Sequence, residues 1–400
     1  MKKIRHPRSS RFFITVATLM AGSLGLWVSM VVLPPSIGSS EYGGVGASQT
    51  PESVVVVTPP PPPAHLPTPV PVRGVYMSSW VAGTPSIRER LLKLIDDTEL
   101  NTVVIDIKDY TGKISFPTDN PTLLATGAQE NRIPDVKELI NFLHSKNIYV
   151  IGRIAIFQDP YLTTKRPDLA VKKASNGAVW ADYKGAKWLD SSSREVWHYA
   201  VEISRESARL GFDEINFDYI RFPSDGNMRD IAYPFFDKLG ISKSENMKQF
   251  FAYLREQLDD LDIPLSADFF GMTTTNTDDL NIGQILEDGL TYFDYIAPMI
   301  YPSHYPPTFL GYKNPAAYPY EVIKYALDGA VRRAVAIGQP KEKIRPWLQD
   351  FDLGATYTAE MVRKQKQATY DSGLDSWLLW DPSNKYTRGA LEDSLLTKEE

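Results

Sequence analysis

The chain is 400 residues long, carries a formal net charge of −6 and contains no cysteine. The missing thiols exclude a disulfide scaffold, a thiolate nucleophile and a thiolate metal site. Residues 1–33 hold five of the 43 Lys and Arg and no acid, which leaves 38 basic against 49 acidic residues beyond them, a net of −11 that suits nucleic acid poorly.

Lys2, Lys3, Arg5, Arg8 and Arg11 precede 22 uncharged residues, 12–33. A secretory signal has an apolar core of about 7 to 15 residues and a membrane span needs about 20. The length therefore favours an uncleaved anchor over a cleaved signal, with the basic flank in the cytoplasm. Gly46-Ala47-Ser48 is a late position at which cleavage would release the rest. Residues 34–71 are low in charge and include the proline run 59–63, the composition of an extended, disordered linker that would hold the following domain away from the bilayer.

From residue 72 short β-branched runs alternate with amphipathic segments. Strands are expected at 72–77, 102–108, 148–154, 212–220, 264–271, 292–301, 344–351 and 376–381. Helices are expected at 86–98, 134–146, 193–210, 244–261, 320–335 and 358–372, where apolar residues recur at three and four spacing and several Ser or Thr caps open the pattern. This rhythm is that of an α/β (β/α)8 TIM barrel, here at 72–390, followed by a charged tail at 391–400. The connection 302–319 is rich in Pro and Tyr. Its rings, with Tyr301 and Tyr320, suit either stacking on sugars or a stiff flap packing on itself.

Barrel enzymes keep their chemistry at strand C-terminal ends. There the sequence places Asp106 and Lys108 on the second strand, Arg153 on the third, Asp218 and Arg221 at the fourth, and Asp268 on the fifth. Met299 and Tyr301 end the sixth, Gln349 and Asp350 the seventh, Trp380 and Asp381 the eighth. Alternation along 212–220 puts Asn216, Asp218 and Ile220 on one face and Ile215, Phe217 and Tyr219 on the other. A carboxylate between Phe217 and Tyr219 on a buried strand demands a partner or a use, and Arg153 or Arg221 is the expected partner.

Cleaving a glycosidic bond takes one carboxyl to donate a proton and a second to attack carbon or activate water. Asp218 and Asp268 are the catalytic candidates, with Asp106 in reserve. Asp106, Lys108, Arg153, Arg221, Met299, Tyr301, Gln349 and Trp380 are the substrate-binding candidates; Trp180 and Trp188 lie in the long connection after strand three. Asp213 and Asp294 precede their strand centres and read as structural. The five His show no His-x-His or Glu-x-x-His pairing, so neither a His-rich metal site nor a cofactor is expected, while a carboxylate-bound Ca²⁺ stays open. There is no Gly-rich phosphate loop after strand seven or eight.

The segment GFDEINFDYIRFP resembles the fourth-strand Asp-x-x-Asp-x-Asp-x-Glu signature of chitinase-type barrels, and Met299-Ile300-Tyr301 and Trp380 extend the likeness. Asp213 and Asp218 match its first and third Asp, but Asn216 replaces the second and Ile220 stands where the catalytic Glu belongs, which argues against substrate-assisted chitinase chemistry. Over residues 72–381 the chain is similar to a bacterial family of glycoside-hydrolase barrels of unknown activity, akin to α-amylase-like and α-galactosidase-like barrels. The likeness rests on RGVYMSSW, VVIDIKDYTGKISFP, GRIAIFQDP, FDYIRFPSDG, SADFFG and IAPMIYPSHY. It implies an Asp nucleophile on strand four, matching Asp218, and an acid from strand five or six, which Asp268 fits.

The expectation is a membrane-tethered, extracytoplasmic glycoside hydrolase acting on a polysaccharide or cell-surface glycan, with a lean toward retention of configuration. Its rival is a non-catalytic carbohydrate-binding barrel, whose sign would be Asp218 held in a salt bridge with no second carboxyl in reach. A lyase or deacetylase would need a Tyr or His base beside a metal, and His304 is the only His near the mouth.

Overall fold

The β-branched runs form eight parallel strands that close into a barrel in chain order: β1 (Arg73–Met77), β2 (Thr102–Lys108), β3 (Tyr149–Ala155), β4 (Glu214–Asp218), β5 (Leu265–Phe270), β6 (Tyr295–Met299), β7 (Trp347–Gln349) and β8 (Trp377–Trp380). The computed structural model describes residues 64–394. The expected membrane segment at 1–33, linker residues 34–63 and tail residues 395–400 lie outside the described residues. Among the described residues no helix is long and apolar enough to cross a membrane.

Among the described residues ten α-helices surround the strands: α1 (Ser79–Ala82), α2 (Pro85–Asp96), α3 (Pro121–Thr126), α4 (Val136–Ser145), α5 (Pro160–Lys165), α6 (Arg194–Leu210), α7 (Lys243–Leu258), α8 (Leu286–Tyr292), α9 (Pro319–Ala336) and α10 (Ala359–Asp371). The six expected helices correspond to α2, α4, α6, α7, α9 and α10. The four others are short, so no periodic stripe announces them, although caps do: Asn120 accepts from Thr122 and Leu123 N–H before α3, and Asp159 from Leu162 N–H before α5. Helix α8 takes Tyr292 from the segment expected as strand six, and β6 itself runs over five residues. Strand β8 is followed by a single 3₁₀ turn at Arg388–Ala390.

Two apolar layers hold the barrel. The outer one lies between strands and helices, where Ile215, Phe217, Phe250, Phe251 and Phe293 are buried; fully burying each such side chain stabilises by about 1.5–3 kcal/mol. The inner one is small, with Val104, Tyr149, Ile151, Ala297, Trp347 and Leu378. Gly211 ends α6 at φ +110°, a conformation that suits glycine, and its N–H returns to Ser207 and Ala208 carbonyls, so the chain drops straight into β4.

At the N-terminal end Asp213 accepts from the N–H of Leu66 at 2.7 Å and of Val150 at 2.8 Å, with His144 Nε2 at 3.0 Å. Asp294 accepts from Leu265 N–H and from Arg255, both at 2.8 Å. These two acids staple strand starts together.

Candidate active site

Parallel register stacks the polar residues of neighbouring strands. Asp106 on β2 lies beside Arg153 on β3, Arg153 beside Asn216 on β4, and Asn216 beside Ser266 on β5. Asp218 therefore stands one inward position above Arg153, beside Ala155, and Asp268 one above Ser266. The outcome is a buried guanidinium shared by three carboxylates. Arg153 Nη1 donates to Asp106 Oδ1 at 2.6 Å, Nη2 donates to Asp218 Oδ2, and Nε lies 3.4 Å from Asp268 Oδ2. Asp106, Asp218 and Asp268 are 2%, 3% and 1% exposed, so each charge depends on the others.

The three carboxyls have different surroundings. Asp106 also accepts from Tyr76 Oη at 2.6 Å, and burial raises its pKa. Asp218 accepts at 2.5 Å from the N–H of Tyr219, the next residue, whose φ is +53°. That left-handed backbone is costly for a bulky side chain and is held by its surroundings. It also breaks the alternation expected along the strand: the regular strand stops at Asp218, and the Asp218 and Tyr219 side chains line the same cavity. Asp268 accepts at Oδ1 from Trp347 Nε1 at 2.8 Å and Asn216 Nδ2 at 3.1 Å. Burial first, and then the neighbouring Asp218 charge, push Asp268 up to about 7 against the pull of Arg153 and these donors.

Asp218 and Asp268 open into a cavity of about 310 Å³ at the strand C-terminal ends. Arg153, Trp380, Tyr301 and Met299, four of the substrate-binding candidates, line it together with Phe270. Trp380 stacks on Tyr76 with centroids 4.0 Å apart and stands 5.1 Å from the Arg153 guanidinium. Arg221 lines the rim, its guanidinium 5.0 Å above Trp188, and burial lowers its pKa. His304 and Lys184 complete the mouth. Larger hollows lie elsewhere: one of about 620 Å³ at strand starts beside Arg73 and Asn101, another of about 780 Å³ beside Tyr161 and Tyr199, both away from the strand ends that bear the carboxylates.

Three candidates have other duties. Lys108 does not share a cavity with Asp106, because a bulge between them breaks the register and turns the ammonium to Asp159, at 2.9 Å, and Ala155 O, at 2.5 Å. Gln349 is fully buried and its Oε1 accepts from Ser303 N–H at 3.2 Å and Ser303 Oγ at 2.9 Å, anchoring the connection after β6. Asp106 is absent from the cavity lining and braces Arg153 from behind. In the aromatic connection only Tyr301 and His304 reach the cavity, while Tyr305 meets Phe309 at 4.6 Å and Tyr312 stacks on Tyr318 at 3.9 Å. Trp180 is buried, donating to Asn227 O.

Sequence reasoning missed Tyr76, Trp347 and Lys184. Trp347 and Tyr76 sit on inward strand positions and carry donors, a signal that alternation offers; Lys184 lies far along a loop and has none. Among the described residues no group of three or more His, Cys, Asp or Glu is placed to hold a metal ion.

Residues 74–386 match the model of a family described as "Putative glycosyl hydrolase domain". Among solved structures, a hypothetical protein from Ruminiclostridium thermocellum ATCC 27405 is 36% identical over 48% of this chain and 96% of its own, with a TM-score of 0.44. The PgaB (BpsB) glycoside hydrolase domain from Bordetella bronchiseptica is 14% identical over 80% of this chain and 99% of its own, with a TM-score of 0.58. The α-L-fucosidase isoenzyme 2 from Paenibacillus thiaminolyticus is 14% identical over 80% of this chain and 47% of its own, with a TM-score of 0.53. At such identity the last two establish the barrel fold alone. No curated protein matches the chain.

Proposed function

The chain belongs to that glycosyl hydrolase family, and on this premise we propose that it hydrolyses O-glycosidic bonds of a polysaccharide with Asp218 and Asp268 as the working carboxyls. The observation that carries the reading is their seating on one guanidinium at the floor of one cavity, with unequal surroundings. Asp268, pushed up to about 7, holds a proton to give to the leaving oxygen near neutral pH. Asp218, anchored by Arg153 and Tyr219 N–H, supplies the carboxylate that attacks the anomeric carbon. Trp380 and Tyr301 offer ring faces to the sugar. Retention is the expected outcome, since two carboxyls against one guanidinium favour the narrow spacing of about 5–5.5 Å over the about 6.5–9.5 Å of inverting enzymes.

The full chain, incubated with α- and β-linked polysaccharides and purified cell wall, releases new reducing ends that vanish with Asp218→Asn. The anomer first formed, read by proton NMR, reports the stereochemistry. Release that survives Asp218→Asn removes the assignment. The rival is a non-catalytic glycan-binding barrel; the ion pair that holds Asp218 favours it, while Asp268 on the same guanidinium weighs against it. Retained glycan binding without release from any substrate would select that rival.

The expected placement, tethered through residues 1–33 with the barrel outside the cytoplasm, follows from the basic flank and the uncharged run. Protease accessibility of the barrel in intact cells and the mass of the mature N-terminus test it.

A further inference from the structure

The rim of the cavity carries two cations that make no ion pair among the described residues. Arg221 donates only to Phe222 O at 3.1 Å and Ser224 Oγ at 3.2 Å, and rests over Trp188 and Tyr219. Lys184, exposed in the connection after β3, lines the same cavity, and its ammonium makes no hydrogen bond or ion pair among the described residues. The acid nearest to them in the loop, Asp182, is already engaged, its Oδ1 accepting from the N–H of Lys184 and of Ala186 at 2.9 Å each. Arg153 neutralises part of the carboxylate charge on the floor, so the mouth is locally basic on a chain that is acidic as a whole. A part-buried guanidinium that feels the charges of Asp218 and Asp182 but bonds to neither gains from an anion that meets it directly.

We infer that this rim is an anion subsite and that the glycan taken by the cavity is acidic, its carboxylate or phosphate received by Arg221 and Lys184. The inference rests on the glycan-cleaving reading of the same cavity and names the substrate class for it. A guanidinium meets a carboxylate or phosphate through paired N–H donors, and an exposed ammonium adds a mobile point charge. The ring faces of Trp380 and Tyr301 accept the sugar itself.

The test is equilibrium binding of the full chain, followed by tryptophan fluorescence, to matched oligosaccharide pairs. One arm sets uronate oligosaccharides against their carboxyl-reduced twins, and the other sets phosphodiester-bearing glycans against their dephosphorylated twins. The acidic member of one arm binds roughly tenfold more tightly than its twin at low salt, and the difference collapses near 0.5 M salt, about where screening shortens to a few ångströms. Lys184→Glu, a change at an exposed position, lowers affinity for the acidic member roughly fivefold and leaves the twin unchanged. Arg221→Gln does the same more strongly, and Arg221→Lys restores part of it. Equal affinity within every pair, no binding to any acidic member, or a preference untouched by both substitutions overturns the inference. Acid preference without release of reducing ends retains the subsite and removes the hydrolase reading, so the two fail separately.

Discussion

The indole Nε1 of Trp347 on β7 donates to Asp268 Oδ1 on β5 at 2.8 Å, reaching past the intervening β6. The bond favours the ionised form of Asp268 and thus restrains the upward pull of burial. Replacing Trp347 by Phe removes this donor and keeps a ring in place. The alkaline limb of the pH–rate profile then moves to higher pH by roughly half a unit or more, and kcat/KM falls roughly tenfold. An unmoved limb would show that Asp268 is not the group that governs it.

Asp268 also ties stability to pH. Its pKa of about 7 in the folded state lies above that of an unfolded Asp, so the folded chain keeps a proton that the unfolded chain has released. The contribution is fully present below about pH 4 and is lost as pH rises toward 7. Asp268→Asn flattens this dependence by at most about 1.4 kcal/mol per pH unit, the limit for one proton, and abolishes hydrolysis. Urea unfolding at several pH values provides the comparison, and parallel curves for variant and wild type would contradict it.

Arg153 compensates three buried acids, and its own pKa stands well above the usual value because the charges of Asp218, Asp106 and Asp268 outweigh burial. Arg153→Met leaves those carboxyls without a cation. At pH 7.5 the variant loses about 3–5 kcal/mol of stability, and much of the loss is recovered at low pH, where protonation removes the repulsion. Thermal melts at both pH values decide this; a loss independent of pH would assign Arg153 a packing role instead.

Gln349 acts through Ser303. Gln349→Ala releases the start of the connection that carries His304, and KM rises roughly tenfold with a smaller change in kcat, as loss of binding geometry without loss of chemistry requires. Ser303→Ala, which removes only one of the two bonds, gives a weaker form of the same change. A fall in kcat at constant KM would place Gln349 nearer the reacting atoms.

The sequence by itself determined the barrel and the strand ends to inspect. Eight β-branched runs and six amphipathic stripes were legible because hydrophobic periodicity and local caps act over a few residues. It also singled out Asp218, Asp268 and Arg153, since charges on buried strands are too costly to be idle. Tertiary structure alone decided how they combine. Register set Arg153 among three acids from strands up to 162 residues apart, from Asp106 to Asp268, and supplied Asp268 with the Trp347 donor. It turned Lys108 away through a bulge and brought Lys184 to the rim through a loop. Alternation assigns faces only while a strand stays regular, and at Asp106–Lys108 and at Tyr219 the backbone departs from it.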